Sequence, residues 1–248
     1  LLDQIASLDH EVSEPHSLQT SSGGTLLYSP HFPKQRRTAF VRGSETDSGA
    51  INWFQVSDEG SVLRIERQQN PLLKSDGSAA FSPIAYKVGP DGAFYILDAA
   101  MDSESASEPH QGRVWRLSAR GKREYWRQNV SDAPIEVLLE QLRSPEPNAR
   151  KHVRRELWTR SPTEVFAALN EWSGDIDYSD DDRQRLLTEL LWLHQAYGRV
   201  DSSLLSSLTE SPEPKARAAA ARVLGDWHDR IDQPLELLAK VMEDEDPR

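Results

Sequence analysis

The sequence predicts an α+β protein of more than one domain, in which a partial β-propeller of antiparallel blades is followed by an α-solenoid of helix pairs. Two observations lead to this prediction. Residues 25–130 contain short apolar runs separated by turn residues, a pattern typical of antiparallel sheets. Residues 131–248 contain a repeated helical pattern with proline at a fixed place, which is typical of stacked helix pairs. We interpret residues 1–24 as an irregular N-terminal segment.

Short runs in the first half have the composition of β-strands. They are rich in Val, Ile, Phe, Tyr and Trp, and several alternate between the two faces of a strand. Turns such as Asp91-Gly92 separate them, because glycine adopts positive φ without penalty. The predicted strands are 25–32, 38–43, 50–57, 61–68, 79–88, 92–100 and 112–119. A blade needs about 40 to 45 residues, so this stretch supplies about two or three blades, fewer than the roughly four that close a ring.

A repeat in the second half indicates pairs of helices. Pro147, Pro214 and Pro247 occupy the same place in three similar stretches, at offsets of 67 and 33 residues. Arg150 and Arg217 each follow their proline by three residues. Proline is tolerated in the first turn of a helix, because its missing N–H would have no partner there. Apolar residues spaced by four after each proline predict a stripe that a neighbouring repeat must cover.

The chain is expected to continue beyond both of its ends. The third copy of the repeat stops at Arg248, where its second helix is due, and the first residue is not methionine. We therefore interpret the helical array as truncated and the ring of blades as incomplete. The missing blades would come from the same polypeptide or from another chain.

Composition excludes several classes of protein. The 248 residues carry a net charge of −11, which argues against nucleic-acid binding because that needs a basic surface. Residues 131–248 contain 15 Lys and Arg against 24 Asp and Glu, and this shift in charge supports two modules. The absence of cysteine excludes disulfides, thiolate zinc sites and covalently attached haem. No apolar run approaches the roughly 18 residues of a membrane span, and the N-terminus lacks the basic region of a signal peptide.

Two residues are candidates for chemistry. Asp98 ends a predicted strand, where a carboxylate is suited to binding Ca²⁺ or to acting as a base beside a cofactor. The alternative for Asp98 is a turn cap or a hydrogen bond between blades. His110 lies in the loop SASEPHQG and is either a general base, a ligand or a solvated loop residue. Asp91 is interpreted as a turn residue.

Charged segments in the second half have two interpretations each. The basic segment RKHVRR at 150–155 lies in an acidic half, so it is suited to docking an acidic partner. The alternative is that Arg150 and Arg217 tie each helix to the acidic turn before it. The acidic run at 175–182 lacks the glycine and the final glutamate of an EF-hand loop, so we interpret it as a linker and helix cap.

Several segments together resemble a family of large membrane-bound dehydrogenases of planctomycetes and verrucomicrobia. They are HFPKQRRTAFV at 31–41, FSPIAYKVGPDGAFYILDAA at 81–100, GRVWRL at 112–117 and SPEPNARKHVRRELWTR at 144–160. Members of this family resemble soluble quinoprotein sugar dehydrogenases, and they typically join a propeller, HEAT repeats and a cytochrome c module. The resemblance implies HEAT-like repeats at 131–248, while the haem motif of the cytochrome module is absent here.

The resemblance also implies a function. It predicts a fragment of an exported or periplasmic dehydrogenase that oxidises a sugar or alcohol, with pyrroloquinoline quinone and Ca²⁺ as cofactors and with Asp98 and His110 near the quinone. The chain departs from the family where Ala99 and Ala100 replace aromatic residues and where Ser82 replaces an arginine. These departures motivate one alternative, a non-catalytic scaffold that binds a protein partner on its helical repeats. A further alternative is a subunit of a larger assembly that supplies the missing blades.

Overall fold

The computed structural model describes residues 23–43, 49–60, 62–76, 81–99, 112–121, 130–177 and 182–246. Within these residues the first half forms two antiparallel sheets and the second half forms seven α-helices. The fold is therefore α+β, with the strands and the helices segregated along the chain.

The first sheet has five strands, in which β1 to β4 pair in chain order and β5 pairs with β3. The strands are β1 (Thr25–Tyr28), β2 (Thr38–Gly43), β3 (Ala50–Glu59), β4 (Val62–Arg67) and β5 (Leu73–Lys74). A short 3₁₀ turn, Lys34–Arg36, connects β1 to β2. Along β2 every second side chain is buried, including Ala39 and Val41, because alternate residues of a strand point to opposite faces.

The second sheet has three strands in the order β6-β7-β8. They are β6 (Pro83–Val88), β7 (Phe94–Asp98) and β8 (Arg113–Leu117). One hydrophobic core takes side chains from both sheets, so the two sheets pack against each other. Its buried members are Leu27, Phe32, Ala39, Val41, Ile51, Trp53, Tyr86, Phe94 and Ile96.

The seven helices bury two further cores. They are α1 (Ile135–Gln141), α2 (Pro147–Leu157), α3 (Pro162–Gly174), α4 (Arg183–Ala196), α5 (Ser202–Thr209), α6 (Pro214–Trp227) and α7 (Pro234–Met242). One core lies among α1 to α4 and the other among α4 to α7, so α4 contributes to both. Proline occupies the first turn of α2, α3, α6 and α7, where the missing N–H leaves no bond unmade.

The turns before α2 and α6 have the same hydrogen bonds. The Oγ atoms of Ser144 and Ser211 each accept from the backbone N–H two residues later, at 3.2 and 3.1 Å. The Nη1 atoms of Arg150 and Arg217 donate to the carbonyl oxygens of the same two serines, at 2.7 and 2.9 Å. The 67-residue repeat in the sequence therefore corresponds to a repeated turn. Each arginine ties its helix to the turn before it through a carbonyl oxygen of that turn, and it also pairs with an acidic side chain outside the turn, Glu189 for Arg150 and Asp244 for Arg217.

The predicted fold class, a partial β-propeller followed by an α-solenoid of HEAT-like helix pairs, is wrong. The described residues form two small antiparallel sheets and seven helices, and they show no closed barrel or propeller. A propeller repeats four-stranded blades around a central channel. Here the sheets have five and three strands and share one core. Strand alternation and turn spacing predict strands, but they do not determine how many strands each sheet contains or how the sheets are arrayed. The predicted domain boundaries, after residues 24 and 130, stay predictions.

A buried carboxyl group joins the sheets to the helices. Glu146 is the N-cap residue of α2 and is fully buried. Its Oε2 accepts a 2.5 Å hydrogen bond from Ser29 Oγ, just after β1, and its Oε1 accepts from the backbone N and side-chain Nδ2 of Asn148 at 3.1 and 2.8 Å. Burying a carboxyl group is costly unless donors satisfy it, so this joint requires all of these partners together.

The turn between β6 and β7 packs on the same joint. Gly92 in this turn has φ +79°, a conformation that favours glycine. A Cβ atom there would lie 2.8 Å from Ser29 Oγ, 2.8 Å from the Cβ of His31 and 3.0 Å from Glu146 Oε2. The Nε2 atom of His31 accepts a 3.0 Å hydrogen bond from the backbone N–H of Ala119, which follows β8. Both sheets and the start of α2 therefore meet at one point.

We expect Gly92→Ala to lower the free energy of unfolding more than Gly121→Ala does. Both glycines have positive φ, so both substitutions introduce backbone strain of about 1–2 kcal/mol. Only Gly92 is crowded, since nothing lies within 4 Å of a Cβ atom at Gly121. The crowding should add about 1–3 kcal/mol by disturbing the buried hydrogen bonds. Urea denaturation followed by tryptophan fluorescence measures the difference, and equal losses for the two variants would contradict the tight joint.

Candidate functional site

Asp98 lies at the end of β7, as predicted, but its side chain is fully buried. Its Oδ1 accepts a 2.8 Å hydrogen bond from the backbone N of Ser82, next to β6. Its Oδ2 accepts from Trp115 Nε1 at 2.8 Å and forms an ion pair with Arg113 Nη2 at 2.9 Å, both in β8. The carboxylate thus ties together the three strands of the second sheet. A base or a Ca²⁺ ligand must turn an oxygen toward a reactant or an ion, whereas both oxygens of Asp98 face protein donors.

His110 belongs to residues 100–111, which lie outside the described residues. The prediction that His110 acts together with Asp98 therefore stays a prediction.

Asp91 forms the turn between β6 and β7, as its sequence position indicates. Its Oδ1 accepts from the backbone N of Ala93 at 3.1 Å. Its Oδ2 accepts from Tyr95 Oη at 2.9 Å and from Arg116 Nη2 at 2.7 Å. Burial raises the pKa of Asp91, but the hydrogen bonds from Arg116, Tyr95 and Ala93 outweigh it, so the pKa lies below its usual value. Asp91 is therefore ionised at neutral pH and stabilises the turn.

Two arginines of α2 share one buried acid of α4. Glu189 is fully buried, its Oε1 pairs with Arg150 Nε at 2.8 Å, and its Oε2 pairs with Arg154 Nη1 at 2.5 Å. The guanidinium group of Arg154 also lies 4.9 Å from the ring centre of Trp192. Sequence analysis did not single out Glu189. The sequence does contain a pattern that indicates such a residue, because Glu189 is the one acidic residue of the leucine-rich run LLTELLWL. A charge buried in such a run is too costly without a partner, so the pattern predicts a paired acid.

A groove of about 540 Å³ lies beside this ion-pair cluster. Its walls include Tyr28, Arg150, Asp182, Arg185, Trp192 and Lys215. The groove thus joins the end of β1 to α2, to α4 and to the start of α6. The groove therefore combines two aromatic side chains with charges of both signs.

The outward side of α2 forms a surface that we name the cationic face, consisting of Lys151, His152, Arg155 and Trp158. All four residues are exposed, and Trp158 retains 63% of its accessible surface. No acidic side chain of the described residues forms an ion pair with Lys151 or Arg155. Although His152 is exposed, neighbouring residues shield part of its ring from water, and this desolvation together with the positive charges of Arg155 and Lys151 lowers its pKa.

Three of the four corresponding positions of α6 carry different residues, and only the arginine is kept. An offset of 67 residues places Ala218, Ala219, Arg222 and Gly225 at the positions of the cationic face. Several inward positions of the two helices carry the same residue, although the buried Val153 of α2 corresponds to Ala220 in α6. These shared pairs are Pro147 and Pro214, Ala149 and Ala216, Arg150 and Arg217, and Leu157 and Leu224. The helix α6 therefore begins and packs much as α2 does, although it lacks the lysine, histidine and tryptophan of the cationic face.

A second cavity, of about 470 Å³, lies between α3, α4 and α5 and contains a histidine and an aspartate. His194 Nε2 lies 3.8 Å from Asp201 Oδ2. Asp201 is the N-cap of α5, because its Oδ1 accepts from the backbone N of Leu204 at 3.0 Å. His194 packs edge-on against Phe166, with ring centres 4.9 Å apart. We interpret this pair as a helix cap beside a packed aromatic ring.

Comparisons of the chain with known protein families, with curated proteins and with solved structures find no match. In the part of the chain that the structure describes, no helix combines the length and the apolar composition needed to cross a bilayer. The same residues contain no group of three or more His, Asp or Glu side chains arranged to hold a metal ion. The dehydrogenase resemblance and the exported location stay predictions.

We expect His194 to make folding stability depend on pH. Burial lowers the pKa of His194 below 6.5, although Asp201 acts in the opposite direction. The unfolded chain therefore takes up a proton first as the pH falls below about 6.5, which favours unfolding. The free energy of unfolding should decrease less between pH 7.5 and pH 5.5 in His194→Gln than in the wild type. Urea titrations at both pH values measure this, with the exposed His228→Gln as control. An unchanged pH dependence in His194→Gln would rule out the effect.

Proposed function

We propose that this chain is a non-catalytic protein-binding module, in which the sheets form a platform and the helices present the surface that holds a protein partner. The proposal rests on one observation, which is that the side chain of Asp98 is buried and both of its oxygens accept from protein donors. The one candidate catalytic residue within the described part of the chain is buried and makes three contacts that join strands of its sheet. Such a carboxylate stabilises the fold and has no free oxygen to offer a substrate.

The helical half supports the binding part of this proposal. The groove offers two aromatic side chains, Tyr28 and Trp192, together with arginines, and these residue types are enriched at protein interfaces. Glu189 holds two arginines of this region in fixed positions through ion pairs of 2.8 and 2.5 Å. A surface whose side chains are already ordered loses less entropy when it binds.

The residues around Asp98 do not fit the Ca²⁺ and quinone chemistry that the family resemblance implies. A Ca²⁺ ion takes about six to eight oxygen ligands. The nearest partners of Asp98 are instead N–H groups of Ser82, Trp115 and Arg113, and they occupy both carboxylate oxygens. We therefore assign no reaction step to Asp98, and the dehydrogenase function stays a prediction from the sequence.

We expect Asp98→Asn to reduce stability. The variant keeps oxygen and nitrogen atoms of similar size but loses the ion pair with Arg113. Hydrogen bonds to charged groups contribute about 1.5–3 kcal/mol, so the free energy of unfolding should fall by about that amount. The exposed Glu164→Gln serves as control and should change it by less than about 0.5 kcal/mol. An Asp98→Asn protein as stable as the wild type would contradict the structural role.

An activity assay on the same preparations tests the catalytic alternative. The full chain is mixed with pyrroloquinoline quinone, Ca²⁺, an artificial electron acceptor and a panel of sugars and alcohols. The acceptor should be reduced no faster than in the same mixture without the protein. Turnover that Asp98→Asn abolishes would overturn the proposal.

The binding part is tested by crosslinking at the groove. A photoreactive phenylalanine analogue is placed at Tyr28, which is 50% exposed and lines the groove, or at Val62, which is 60% exposed on β4. In extract from the source cells, the Tyr28 position should yield a crosslinked protein band that the Val62 position does not, and purified partner identified from that band should bind the unlabelled chain. Equal labelling at the two positions would count against the groove.

A further inference from the structure

We infer that the cationic face of α2 binds an acidic segment of a partner protein that also carries an apolar side chain. This inference rests on the proposed binding function and adds the chemistry of the partner. It is carried by the exposure of the face, by its unpaired charges and by the comparison with α6.

The residues of the face lie on one side of the helix. Lys151, Arg155 and Trp158 are separated by four and three residues, and side chains at these spacings are neighbours along a helix surface. Trp158, the C-cap residue, has φ −62° and ψ −20°, so it continues the helical path. The three side chains therefore form a strip about two turns long, with two cations at one end and an indole at the other.

The fold itself does not require this strip. The side chains that pack α2 against the rest of the fold lie on its inward side, where Ala149, Val153 and Leu157 are fully buried. The helix α6 keeps alanine, arginine and leucine at the matching inward positions, yet it replaces Lys151, His152 and Trp158 by Ala218, Ala219 and Gly225. Because one helix of the same chain packs without these groups, packing does not account for them in the other.

Within the described residues, the two cations of the strip have no acidic partner. The helical half has an excess of nine acidic residues, yet Lys151 and Arg155 form no ion pair with any described carboxylate. Two uncompensated cations one turn apart repel each other, and carboxylates of a partner would remove this repulsion and gain charge-assisted hydrogen bonds. Charge complementarity of this kind also speeds association and rejects basic partners.

A short acidic segment fits this surface better than other anions do. A nucleic acid or an anionic membrane extends far beyond one helix, and it would have to approach a chain of net charge −11. A protein segment of a few residues reaches the strip alone. Trp158 is 63% exposed and offers a flat aromatic surface, so we expect an apolar side chain beside the acidic residues of the segment.

The test uses a fluorescein-labelled peptide rich in Glu and Asp with a single Phe, titrated with the full chain while anisotropy is recorded. We expect saturable binding that weakens as salt is raised, because exposed charges are screened. Arg155→Glu should weaken binding at least about tenfold. Arg222→Glu reverses an exposed charge at the matching position of α6 and should weaken it less than about threefold. Circular dichroism checks that both variants are folded.

A second comparison isolates the indole. Trp158→Ala should weaken binding of the Phe-containing peptide by about tenfold, but it should have little effect on a peptide in which Gly replaces Phe. The exposed Leu235→Ala, at the start of α7, serves as control and should leave both affinities unchanged. An equal effect of Trp158→Ala on both peptides would overturn the assignment of the apolar contact.

Other outcomes would overturn the inference as a whole. One is an equal loss of peptide affinity in Arg155→Glu and Arg222→Glu. Another is equal or tighter binding of a peptide with Lys in place of Glu and Asp. A third is tighter binding of single-stranded DNA or of phosphatidylserine vesicles than of the acidic peptide. Absence of peptide binding while the Tyr28 crosslink persists would also reject it and would leave the proposed function in place. Turnover in the activity assay would instead reject the proposed function.

Discussion

The position of α2 relative to the two sheets depends on the buried carboxyl group of Glu146. This group begins α2, and it accepts hydrogen bonds from Ser29 at the end of β1 and from Asn148 on its own helix. The turn at Gly92 closes over it from the second sheet. Because the group is too polar to be buried with any of these partners missing, the sheets and the helices must dock together. The joint thereby determines where α2 lies relative to the sheets.

Buried acids serve the same physical purpose at three places in this molecule. Glu146 joins the sheets to α2, Asp98 joins three strands, and Glu189 joins α2 to α4. Glu146 and Asp98 each take donors from more than one segment of the chain, whereas Glu189 takes both of its donors from α2. A buried ionic or polar cluster of this kind costs desolvation, but it fixes a geometry that apolar contacts alone leave open. In this chain, a buried carboxylate at the end of a strand is therefore weak support for catalysis.

Local structure followed from the sequence, whereas long-range structure did not. The strands predicted at 38–43 and 50–57 correspond to β2 and β3, and proline correctly indicated the starts of α2 and α6, since both rest on periodicity and backbone chemistry within a few residues. The propeller was wrong because the assembly of sheets depends on contacts between distant segments. The role of Asp98 was undecided because its donors lie 15 to 17 residues away and meet it only in one strand register.

The two sides of α2 have different tasks, and this separation has an evolutionary consequence. Its inward side shares with α6 the residues that specify packing, while its outward side shares almost none. Substitutions on the outward side therefore escape selection for folding. A substitution at the surface codons of this helix can therefore change what the surface recognises while the scaffold stays the same, and α2 and α6 already show two different outward sides on similar packing residues.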